Sequence, residues 1–81
     1  MEKVQKVRTE TYEYSMDYLV DIQIYSDKYE AYIYHKDYGI KMFVVGFPAN
    51  TTTKKEFIEN VEYIIDKENT IDIYDDYIRK E

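Results

Sequence analysis

Carboxylates dominate the chemistry available to the second half of this chain. Between Glu56 and Ile78 lie eight acids (Glu56, Glu59, Glu62, Asp66, Glu68, Asp72, Asp75 and Asp76) and a single base, Lys67. Paired carboxylates do acid–base work only where burial drives their pKa values apart. Asp75-Asp76 and the Glu10/Glu13 pair read instead as solvated side chains. A calcium loop needs a central glycine and a distal glutamate, and Asp72–Asp76 has neither. Nucleophilic catalysis needs a Ser, Thr or Cys held against a base. Cysteine is absent, and the one histidine, His35, reads as a strand-end residue beside a turn. Gly39 and Gly46 are isolated, so there is no glycine-rich phosphate loop. The chain is expected to be no enzyme and to bind no metal or cofactor.

What these acids can do is meet bases. Projected at about 100° per residue, Glu56, Glu59, Glu62 and Asp66 fall opposite a Phe57/Val61/Ile64 stripe, with Tyr63 among them. An ordinary helix surface mixes signs and gains from pairs one turn apart. Here like charges accumulate against their own repulsion, which leaves two readings: a solvated face kept soluble by charge, or a face that meets a basic groove normally receiving phosphates. The expected contact residues are Glu59, Glu62, Tyr63, Asp66, Asp72, Asp75 and Asp76. Nucleic acid itself is not the expected ligand. Eleven bases are outnumbered by 17 acids, for a net charge of −6, and form no long run.

These acids must be positioned by a small fold. The chain has 81 residues, 44% of them apolar, which suits one domain spanning 1–81. Residues 1–48 read mainly as strands. Tyr18, Val20, Ile22 and Ile24 alternate with Leu19, Asp21, Gln23 and Tyr25, and Tyr29–Lys36 alternates in the same way. Ser26-Asp27-Lys28 and Asp37-Tyr38-Gly39 supply turn chemistry. Ile40–Phe47 is apolar on both sides, so a central or doubly covered strand is expected there. Its alternation places Phe43 and Phe47 with Tyr25, Tyr32 and Tyr34 on one face, opposite Met42, Val44 and the β core.

Residues 52–68 read as an amphipathic helix. Thr53 with Glu56 matches a capping box, and Phe57, Ile58, Val61, Ile64 and Ile65 follow at helical spacing. Asn69-Thr70 breaks it. A short second helix is expected over 70–80, with Ile71, Tyr74, Tyr77 and Ile78 as its apolar positions. The expected fold is α+β: an antiparallel meander of three or four strands, followed by a C-terminal helical pair packed on one face.

This layout, a meander followed by the acidic segments Glu56–Asp66 and Asp72–Asp76, resembles the small acidic phage-encoded inhibitors of the anti-CRISPR type. The tyrosine-rich, glycine-poor composition is of a style associated with AT-rich genomes, of phage or low-GC bacterial type. The resemblance implies a protein whose carboxylates occupy the DNA-reading site of a CRISPR effector nuclease, acting in the cytoplasm of a bacterial host. It rests on layout and charge, and no residue role carries over by position. No membrane partner is expected, since no apolar run approaches about 18 residues and Met1–Glu10 is too polar for a signal peptide. Two other readings stand beside it. One is an interaction module that forms a homodimer through its Tyr-rich sheet face. The other is an RNA-binding sheet that stacks bases on Tyr32, Tyr34 and Phe43.

Overall fold

The computed structural model describes residues 5–79, with side chains to Tyr77. Alternation in the first half becomes four strands: β1 (Lys6–Glu13), β2 (Tyr18–Tyr25), β3 (Lys28–His35) and β4 (Lys41–Pro48). Each pairs antiparallel with the next, in the order β1-β2-β3-β4. Two helices follow, α1 (Lys54–Lys67) and α2 (Thr70–Arg79). The fold is the expected α+β meander with a helical pair. The last helical position expected, residue 80, and the burial of Ile78 lie outside the described residues.

Turn chemistry sets the register. Ser26 and Asp27 separate β2 from β3, so that Ile24 faces Tyr29. At the next turn Gly39 takes φ 72°, a left-handed conformation that costs glycine little, and its N–H bonds to the His35 carbonyl at 3.0 Å. Thr53 caps α1 by accepting the Glu56 N–H at 3.2 Å. Asn69, at φ 51°, turns the chain from α1 into α2. Short polar side chains tolerate that region best among non-glycine residues.

The core is the layer between sheet and helices. Val20, Ile22, Ala31 and Ile33 on the sheet meet Phe57, Val61 and Tyr74 on the helices, and all are fully buried. A β-bulge in β4 alters which side chains reach this layer. Ala31 pairs with Val45 but Tyr32 pairs with Phe43, which leaves Val44 out of register. One extra residue reverses the alternation, because side chains repeat every two residues. Phe43 therefore sits beside Tyr32 on the uncovered face, with ring centroids 5.5 Å apart. Phe47 sits on the helix face, 5.7 Å from the Phe57 ring.

This corrects two expectations from the sequence. Phe47 does not share a face with Phe43. Nor is β4 central, for it forms an edge of the sheet. Its apolar residues fall on both sides because the bulge turns Val44, Val45 and Phe47 toward the core at different parities.

Candidate functional site

The helical stripe positions the acids. Phe57, Val61 and Ile65 point into the core and rotate α1 so that Glu59, Tyr63 and Asp66 are exposed. Glu62 lies at the margin, half-buried. There the sheet reaches up to it. The Tyr12 hydroxyl donates to the Glu62 carboxylate at 2.9 Å. Tyr14, just past β1, donates to Asp66, and Tyr18, opening β2, donates to Asp75. Three tyrosines from one end of the sheet thus hold three of the six carboxylates among the seven expected contact residues.

Each tyrosine is made a weaker acid by its site. Burial is the largest cause at all three, since a phenolate loses more hydration than a phenol. The hydrogen bond to the carboxylate and its negative charge add to it. Tyr14 is pushed up to about 12, and Tyr12 and Tyr18 rise well above the ordinary phenol range. These phenols therefore remain donors throughout the neutral range, and their carboxylates have oriented oxygens with lone pairs to spare.

The other four expected residues point outward. Glu59, Asp72 and Asp76 are exposed and make no side-chain hydrogen bond or ion pair among the described residues. Tyr63 is 59% exposed, with the Lys67 ammonium 5.3 Å from its ring centroid.

Two further residues belong to this surface and were not anticipated. Ile73 and Tyr77 on α2 are 57% and 51% exposed, one helical turn apart and flanked by Asp72 and Asp76. The sequence reading placed Tyr77 among the buried apolar positions. Instead the buried line of α2 runs through Thr70 and Tyr74. Tyr74 fixes that rotation: its hydroxyl donates to the Ile40 carbonyl and accepts the His35 N–H. The legible signal was the i,i+4 spacing of Ile73 and Tyr77, each directly preceded by an aspartate.

Ion pairing separates the two halves of the molecule. Among the described residues every acid in an ion pair lies on a strand: Glu10, Glu13, Asp21 and Glu30. Lys54 and Arg8 also hold the Glu10 carboxyl below its usual range. The acids of α1 and α2 take part in none of these pairs, so the helical surface keeps its negative charge.

The groups weighed for catalysis are dispersed. His35 lies between the rings of Tyr18 and Tyr38, at 4.9 and 4.7 Å, and its Nδ1 accepts the Asp37 N–H at 3.1 Å. That is a turn-stabilising arrangement. Asp75 is turned toward Tyr18 while Asp76 is exposed. Glu10 bonds Lys54 and Arg8, whereas Glu13 bonds Lys36. Tyr25, Tyr32, Tyr34 and Phe43 do share the uncovered sheet face, but the nearby Lys28 and Lys41 are committed to Glu30 and Asp21.

Among the described residues no helix is long and apolar enough to cross a membrane. The chain matches no protein-family model, no curated protein and no solved structure.

Proposed function

We propose that the protein acts without catalysis, by laying the outer surface of its helical pair on a basic, nucleic-acid-binding surface of a partner protein. An inhibitor of the anti-CRISPR type works in this way, and a CRISPR effector nuclease in a bacterial cytoplasm is the partner class that fits. One observation carries the reading: among the described residues, ion pairs neutralise the acids of the strands and include none of those of the helices. Keeping like charges together costs stability, and a cationic partner recovers that cost on binding. Tyr63, Ile73 and Tyr77 supply the apolar contact area that charge alone lacks. Glu62, Asp66 and Asp75 enter the contact already oriented by their tyrosines, so less side-chain freedom is lost on docking.

The test is displacement of duplex DNA from purified RNA-guided nucleases, with a salt-graded pull-down from host lysate for other basic partners. The parent should compete with DNA, and its binding should weaken as salt rises. Reversing Asp72 and Asp76 to lysine should abolish competition while leaving the melting temperature near that of the parent, since exposed charges contribute about 0–1 kcal/mol each. Asp27 and Asp37, both exposed and on strand-connecting turns outside the helices, are the matched control for net charge. Equal loss from both pairs of reversals would mean long-range attraction and no contact at this surface. Competition unaffected by either pair would remove the helical pair from consideration.

A further inference from the structure

The helices cover one face of the sheet, and the other face is unlike the rest of the molecule. It is aromatic, carrying Tyr25, Tyr32, Tyr34 and Phe43. It is also close to charge-balanced, on a chain whose net charge is −6. Its three strand carboxylates each have a lysine: Asp21 with Lys41 at 2.6 Å, Glu30 with Lys28 at 3.2 Å, and Glu13 with Lys36. The Asp21 pair is the most telling. Lys41 on β4 reaches across β3 to β2 for it, and Asp21 is only 6% exposed although no helix lies above it. Thr11 also donates to that carboxylate at 2.6 Å, and Thr9 donates to the neighbouring Gln23 at 3.0 Å. The polar groups beneath the rings are thus satisfied within the chain, which lowers the cost of removing this face from water.

We propose that this face docks against the same face of a second copy of the chain, forming a two-sheet sandwich with the acidic helices on its two outer sides. Charge decides the occupant. A cationic partner gains nothing from a face whose carboxylates are already paired, and a polyanion finds Lys28, Lys36 and Lys41 already taken. A second copy presents an equally neutral surface, so two strongly acidic chains can meet here with the least repulsion. The chemistry also suits it. Aligned sheets stack with aromatic and branched residues between them, and tyrosines tolerate a contact that is dry on one side and polar on the other. Phe43, at 52% exposure, is the natural anchor. This dimer is independent of the proposed helical contact and would present that surface twice.

Sedimentation equilibrium on the full chain tests it. At high micromolar concentration the mass should approach twice the 9.9 kDa protomer. Association should hold or strengthen as salt rises, because the contact is neutral and only the outer charges repel. Phe43→Glu should weaken association by roughly tenfold or more while leaving the far-ultraviolet circular dichroism unchanged. Val7→Lys, at the exposed edge of β1, should leave it intact. Should Phe43→Glu fail to fold, a half-isotope-labelled parent sample decides the matter through intermolecular contacts at the Phe43 and Tyr32 rings. A monomer at all concentrations overturns the proposal. So does a dimer broken by Val7→Lys and indifferent to Phe43→Glu, which would be edge pairing of β1.

Discussion

The Tyr12 hydroxyl on β1 donates to the Glu62 carboxylate on α1 across 50 residues of sequence, at 2.9 Å. Tyr14–Asp66 and Tyr18–Asp75 repeat the relationship, so one end of the sheet is tied to both helices by phenol–carboxylate bonds. The acids that give the helical pair its charge are thus partly structural. Docking the helices and presenting carboxylates to a partner are served by the same side chains.

Tyr12→Phe removes the donor and leaves the Glu62 carboxylate at the margin of the core. The expected loss is about 1–2 kcal/mol, the range for a hydrogen bond to a charged acceptor that water can partly replace. Urea unfolding of parent and variant measures it. An unchanged midpoint would mean that this bond contributes nothing net.

The same bonds set an alkaline limit. The native chain needs Tyr12, Tyr14 and Tyr18 protonated, and their pKa values are raised from the ordinary 10.0, to about 12 in the case of Tyr14. Below pH 10 folded and unfolded chains hold these protons alike, so the stabilisation is complete. Above it the unfolded chain releases them first, and stability is lost as pH climbs through the folded values. Melting temperature followed from pH 8 to 12 should fall only in the upper part of that range. The triple Tyr→Phe variant should flatten the fall.

Val61 is fully buried between sheet and helix. Val61→Asp places an unpaired charge there at a cost of several kcal/mol, against the roughly 3–5 kcal/mol that a core this small supplies. The variant should be unfolded by circular dichroism at 25 °C, where the parent is folded. A parent-like melting curve would place Val61 outside the core.

Phe43 and Phe47 offer a paired test of the bulge. By strict alternation they would respond alike. Because Phe47 packs on Phe57 and Tyr29 pairs beside it, Phe47→Ala should cost about 2–4 kcal/mol, near the range for an aromatic core truncation. Phe43→Ala, at an exposed site, should cost the isolated protomer under about 1 kcal/mol. Equal losses measured at low protein concentration would contradict the register described here.

The sequence alone determined the elements, because their signals are local. Period-two alternation in Tyr18–Tyr25 and Lys28–His35, the Thr53/Glu56 cap, the positive-φ site at Gly39 and the Phe57/Val61/Ile65 spacing each sit within a few residues. The charge contrast between strands and helices was legible too, since it is a count along the chain. Long-range geometry decided the rest. Whether Phe47 faces the helices depends on where β4 slips against β3, and no residue in β4 announces the bulge. Whether Tyr77 is buried depends on the rotation of α2, which Tyr74 sets through its bonds to the strand-end backbone of β3 and to the Ile40 carbonyl. That Glu62, Asp66 and Asp75 are held while Glu59, Asp72 and Asp76 have no partner among the described residues follows from tyrosines about 50 residues away. A carboxylate looks the same in sequence whether a phenol reaches it or not, and only the packing of sheet against helix brings the two together.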